Sequence, residues 1–267
     1  MKSQKYLNLD TPSNTSRISS LIRCHFSVIS STQSYLSNWV SKTPPPEFST
    51  VSADVQTGGR GQYGREWGDF GGNVALSFVV YPKELQADQQ FLLQMWSAIC
   101  IYDTLIELGL KAERLRIKWP NDILMDGDKL AGILLQSSVS GSFIRHAVVG
   151  IGINVRTAPP NLPYVSCLHR QGVFISAAEL REKILYNLYQ SYQDMKFNRG
   201  VLAYLDIYHQ RMWRYGEEVR FREKGELGHA RILGLTKNGY LQIESREGIR
   251  VVTDSSMQFD RFFKNNG

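Results

Sequence analysis

Short apolar runs rich in β-branched and aromatic residues alternate with polar breaks that carry Gly and Pro along most of this chain, the pattern of strands separated by turns. Strands are predicted near Cys24–Ile29, Phe48–Asp54, Asn73–Tyr81, Leu115–Trp119, Lys129–Ser137 and His146–Val155. A helix is predicted from about Thr32 to Lys42. Pro44-Pro45-Pro46 must end it, because proline offers no N–H and its ring clashes with the preceding turn. The stretch from Phe91 to Leu110 is the longest apolar-leaning one, but Gln94, Asp103 and Glu107 within it, and Gln89 and Gln90 before it, predict an amphipathic helix and not a membrane span. Ser176-x-x-Glu179 is a capping box ahead of Leu180, Ile184, Leu185, Leu188 and Tyr192. The helix it opens is predicted to break at Gly200 and resume to about Trp213. From Glu217 onward the runs shorten to Val219-Arg220-Phe221, Ala230–Leu235, Tyr240–Glu244 and Ile249–Thr253, and Asn238-Gly239 between two of them is a strong hairpin signal.

These elements divide the chain into a polar N-terminal arm (residues 1–20), a mixed α+β domain (21–214) and a small all-β module (215–267). A chain of 267 residues that is 42% hydrophobic can bury one sizeable core and a small second one. Its 31 Lys and Arg against 25 Asp and Glu leave +6, scattered and not in a block. Such a charge gives little ground for nucleic-acid binding and reads as a solvated mixed-charge surface or as one that favours anionic small molecules or acidic protein partners. Cys24, Cys100 and Cys167 lie far apart with no metal-ligand spacing, so neither a disulfide framework nor a zinc site is indicated, which fits a reducing cytoplasm. The first twenty residues have no apolar export segment, so neither secretion nor a membrane anchor is expected.

The segment Gln56-Thr-Gly-Gly-Arg-Gly-Gln-Tyr-Gly-Arg-Glu-Trp67 places Arg60 and Arg65 among Gly58, Gly59, Gly61 and Gly64. Side-chain-free positions let backbone N–H groups approach an anion, and two guanidiniums add the charge they lack. It is a loop suited to phosphate or carboxylate. The embedded Gly59-x-Gly61-x-x-Gly64 is not a Rossmann fingerprint, since that must open a helix and Asn73–Val80 reads as a strand. Nor is it a kinase loop, because no His-Arg-Asp catalytic segment follows to give Asp69-Phe70-Gly71 its meaning.

Three further segments carry chemistry. Lys118-Trp119-Pro120-Asn121-Asp122 ends a strand in a proline turn that presents an amide and a carboxylate, either as ordinary turn chemistry or to orient a metal or a base. In Asp128-Lys129-Leu130-Ala131-Gly132-Ile133-Leu134-Leu135-Gln136, Lys129 opens an apolar strand, as a solvated edge residue or as an ammonium held by a rigid element. Val148-Val149-Gly150-Ile151-Gly152-Ile153-Asn154-Val155 is a buried strand with two Gly, which marks close approach by a ligand or by another backbone.

With Ser30-Ser31-Thr32-Gln33, these segments stand in the order and spacing of one family: over most of residues 24–260 the chain resembles the biotin protein ligases. The resemblance implies an α+β fold: a mixed β-sheet catalytic domain flanked by helices, of the class II synthetase-like biotin/lipoate ligase type, with a small C-terminal SH3-like β-barrel. It implies that biotin and ATP, the latter with Mg²⁺, form biotinyl-5'-AMP and pyrophosphate, and that a lysine of a biotin carboxyl carrier protein then accepts biotin. No protein side chain is assigned to the metal. By the same resemblance, Ser31, Thr32, Gln56, Gly58, Gly59, Arg60, Lys129 and Gly132 bind biotin. Arg60, Arg65, Trp67, Lys129 and Asn154 bind ATP or the adenylate, and Lys129, Arg60, Arg65 and Asp122 are catalytic. Gln62 stands where well-known members carry Arg, and Gln33 where Asn is usual.

A lipoate ligase or octanoyl transferase shares the implied fold, but its resemblance is weaker in Lys118–Asp122 and in the Arg-bearing loop. A non-catalytic biotin regulator would have little use for Arg60, Arg65 and Lys129 together. DNA binding is not expected, because about twenty polar residues before the pattern are too few for a helix-turn-helix. A homodimer through an exposed sheet edge remains open.

Overall fold

The computed structural model describes residues 21–68, 71–160, 162–197, 201–253 and 257–260. The expected N-terminal arm and the break at Gly200 lie outside them. A seven-stranded mixed sheet runs in the order β1-β2-β5-β9-β8-β7-β6, from β1 (Arg23–Ile29), β2 (Thr50–Gln56), β5 (Val74–Val80), β6 (Leu115–Lys118), β7 (Asp122–Met125), β8 (Asp128–Ser140) and β9 (Phe143–Ile153). Between β2 and β5, β3 (Gly59–Arg60) and β4 (Glu66–Trp67) form a separate two-stranded ribbon. Among the strands of this sheet β1 and β2 pair in parallel and the other neighbours antiparallel, and α1 (Thr32–Lys42) makes the crossover that a parallel pair requires.

Two faces bury two cores. α1 covers one face, where Leu36 and Val40 meet Cys24, Val51, Val79 and Val148. The other face carries the larger core, against α2 (Phe91–Glu107), α3 (Ala177–Phe197) and α4 (Val201–Arg211). Phe48 stacks on Phe78 there at 5.4 Å, with Trp96 edge-on at 5.9 Å to Phe78. The expectation of an amphipathic α2 needs correction: Gln94, Ser97 and Thr104 are buried together with its apolar residues. Their polar groups are satisfied locally, Ser97 and Thr104 on the carbonyls of Leu93 and Cys100 and Gln94 on that of Pro120, so the helix can be enclosed on nearly all sides. The capping box forms as expected, Glu179 N–H donating to Ser176 Oγ and Ser176 N–H to Glu179 Oε2.

Five strands between Glu218 and Phe259 form an antiparallel sheet in the order β13-β12-β11-β10-β14, from β10 (Glu218–Glu223), β11 (Glu226–Leu235), β12 (Leu241–Ser245), β13 (Gly248–Val252) and β14 (Gln258–Phe259). The Asn238-Gly239 turn joins β11 to β12 and reaches back to the larger sheet, where Trp119 Nε1 donates to Gly239 O at 2.9 Å. No helix among the described residues is long and apolar enough to cross a membrane.

A second link between the two sheets is titratable. His209 on α4 stacks on Tyr215 at 5.0 Å, and its Nε2 accepts the Leu235 N–H at 2.8 Å. Accepting requires an unprotonated Nε2, and burial holds the imidazole below its usual range, with Asp206 pulling more weakly the other way. A depressed folded-state pKa gives stability that is complete above the unfolded value of about 6.5 and is lost as pH falls below it. Unfolding midpoints are therefore expected to drop between about pH 7.5 and about pH 5. His209→Phe should flatten that drop, leaving the part due to His146, which burial and Arg145 also depress. An unchanged pH profile in the variant would remove His209 from this role.

Candidate active site

Side-chain alternation hollows out a cleft on the α1 face of the large sheet. On β9, Val149, Ile151 and Ile153 enter the larger core, so Val148, Gly150 and Gly152 face α1. On β8, Ala131 and Ile133 take the core and Gly132 the opposite face. On β5, Val79 belongs to the α1 core and Ser77 points the same way. Where large side chains would fill the space, three glycines and a serine leave an open cleft.

Ser31, Thr32, Gln56, Arg60, Trp67, Lys129 and Gly132 all line it. Ser31 is the N-cap of α1, its Oγ accepting the Ser34 N–H at 3.3 Å, which places Thr32 in the first turn over the cleft. Thr32 donates its N–H to Gln56 Oε1 at 2.9 Å and thereby ties the helix to the end of β2. Gly58 and Gly59 stand behind the lining residues: Gly58 N–H bonds the Ser30 carbonyl at 2.8 Å, and Gly59 pairs with Trp67 in the ribbon.

The ribbon brings Trp67 onto the sheet. A Cβ on Gly152 would lie 2.5 Å from the indole, and one on Gly132 3.1 Å, so the ring rests directly on glycine backbone. Lys129 Nζ lies 5.4 Å from the ring centroid and 2.6 Å from Asp122 Oδ1. That ion pair arises from a hairpin absent from the expected strands: Asp126-Gly127, both at positive φ, turns β7 into β8. Asp122 therefore begins a strand instead of closing a turn, and the Asp-Gly pair was the available signal.

The three expected cations do not all converge. Arg60 and Lys129 line the same cleft, whereas Arg65 is exposed on the ribbon and does not line it. Asn154 is buried beside the strand end, donating Nδ2–H to the Ser166 carbonyl at 3.0 Å. Gln33, Ser77 and Asn121 are lining residues that the sequence reading gave no binding role. Ser77, the one polar residue in Val74–Val80, was the legible clue. Among the described residues no group of three or more His, Cys, Asp or Glu is placed to hold a metal ion.

Residues 25–154 match the model of the biotin/lipoate A/B protein ligase family. Over 218 residues the chain is 33% identical to the biotin–[acetyl-CoA-carboxylase] ligase of Paracoccus denitrificans, covering 78% of this chain and 89% of that one. It is 30% identical over 240 residues to the bifunctional ligase/repressor BirA of Bacillus subtilis, covering 86% and 72%. The fold superposes on the biotin protein ligase of Aquifex aeolicus in complex with biotin and ATP with a TM-score of 0.72 at 24% identity, over 90% of this chain and 99% of that one.

Proposed function

The chain belongs to the biotin protein ligases and is an ATP-dependent enzyme of that family, and from that premise we propose how its cleft divides the work. Biotin lies along the α1 face with its ureido ring at Thr32 and Gln56 and its carboxylate toward Arg60 and Lys129. ATP enters as its Mg²⁺ complex, the metal held by the polyphosphate. The observation that carries this reading is one cleft lined both by hydroxyl and amide groups and by an Arg and a Lys.

A carboxylate attacking the α-phosphate brings like charges together, and at about 4 Å each unit pair repels by about 4 kcal/mol at an effective dielectric near 20. Arg60 and Lys129 offset this repulsion without forming a covalent bond to either reactant. The carboxylate oxygen bonds to phosphorus, pyrophosphate leaves, and biotinyl-5'-AMP remains. A neutral lysine amine of a biotin carboxyl carrier protein then attacks the acyl carbon, AMP leaves, and the amine proton passes to solvent. Asp122 holds the Lys129 ammonium in place through both steps. Trp67 closes over the strands and keeps water from the mixed anhydride. Arg65, exposed on the ribbon, meets phosphate only when the ribbon folds further over the nucleotide, and Asn154 supports the end of β9 beneath the adenylate.

Incubation with biotin, MgATP and a carrier domain should give one biotinylated lysine and biotin-dependent ATP–pyrophosphate exchange. Exchange driven by lipoate and not by biotin would reassign the substrate.

A further inference from the structure

Four oxygens run in a row across the floor of the cleft, from Gln33 Oε1 to Ser77 Oγ (3.2 Å), Thr32 Oγ1 (2.9 Å) and Gln56 Oε1 (3.1 Å). The orientation of both end amides follows from their partners. Gln33 Nε2 faces the Val148 carbonyl at 3.0 Å, an acceptor only, so its Oε1 must face Ser77. Gln56 Oε1 receives the Thr32 N–H, so it too can only accept. Three oxygen–oxygen contacts therefore share two hydroxyl protons. The row is one proton short, and Gln33, Ser77 and Thr32 are all buried, with relative exposures of 4%, 0% and 3%. Space for the Gln33 amide exists because Gly150 lacks a side chain: a Cβ there would lie 2.5 Å from Gln33 Oε1.

We propose that Gln33 is a positioning residue for substrate recognition: by drawing the Ser77 proton toward itself, it leaves Thr32 and Ser77 as an acceptor array for an N–H donor, the ureido N–H of biotin. This rests on the biotin reading of the cleft. The ligand N–H supplies the missing proton, so the row is satisfied only when occupied. With no acceptor at position 33, the Ser77 proton turns to Thr32 and the Thr32 proton to Gln56. The shortened row is then complete and no longer seeks a donor.

Gln33→Met preserves the shape of the side chain and removes its amide. It is expected to weaken biotin binding about tenfold, with the KM for ATP unchanged. Ser77→Ala should weaken biotin binding to a similar degree. Because both act through one row, the double variant should be no weaker than the worse single one, measured by calorimetry with biotin alone. Biotin affinity of Gln33→Met within about twofold of the parent, or losses that multiply in the double variant, would overturn the proposal. Failure of the parent protein itself to bind biotin would overturn the substrate reading and this inference with it.

Discussion

Lys129→Ala is expected to lower biotin-dependent ATP–pyrophosphate exchange by about two to three orders of magnitude, the scale of removing one preorganised electrostatic partner from a transition state. The ammonium is the cleft cation that a regular strand positions, at the start of β8, and Asp122 fixes its direction at 2.6 Å. Arg60, which lines the same cleft from the ribbon, stays in place in this variant, so the loss reads the contribution of Lys129 alone. The substitution also leaves the Asp122 carboxylate, only 13% exposed, without its cation. That should cost about 1–3 kcal/mol of stability, which could be mistaken for the cause of inactivity. The double variant Lys129→Ala/Asp122→Asn separates the two effects, since neutralising the carboxylate should restore the unfolding midpoint and leave exchange absent. Exchange recovering together with stability would show that Lys129 serves the fold and not the reaction.

Gly239→Val is expected to destabilise the protein by about 3–5 kcal/mol, from a left-handed backbone forced on a β-branched residue and from overpacking. Gly239 sits at φ +80 in the β11–β12 turn, and a Cβ there would lie 1.9 Å from the Phe91 ring. Its carbonyl is also the acceptor for the buried Trp119 Nε1. Displacing the turn would leave that indole N–H unsatisfied and loosen the segment that leads through Asn121 to Asp122. Chemical denaturation should therefore report a large loss of stability, accompanied by a raised KM for biotin or ATP in the folded fraction. An unfolding free energy within about 1 kcal/mol of the parent would mean that the hairpin tip does not brace the large sheet.

The structure also decides what those two residues have in common. Nothing in the sequence links Trp119 to Gly239: one precedes a proline turn, the other marks a hairpin, and they are 120 positions apart. Their contact depends on how the five-stranded sheet seats against α2 and the β6–β7 hairpin, which no local pattern encodes.

Much of the molecule was legible before folding. Apolar runs rich in β-branched and aromatic residues located the strands, because such side chains suit a pleated, buried surface. The triple proline marked the end of α1, and Asn238-Gly239 marked a hairpin, because both act through the backbone of the residues themselves. The five site segments were legible for the same reason: glycines flanking arginines and a lysine opening an apolar strand are properties of short stretches of chain. Beyond that reach the sequence was silent. It could not place Arg65 outside the cleft that Arg60 and Lys129 share, pair Lys129 with Asp122, or reveal that Gln33 and Ser77 complete a row of oxygens with too few protons. Those outcomes depend on distances between side chains on different strands, set by sheet register and by which glycines leave room, and only the packed tertiary structure brings such groups to within about 3 Å, where hydrogen bonds and charge pairs act.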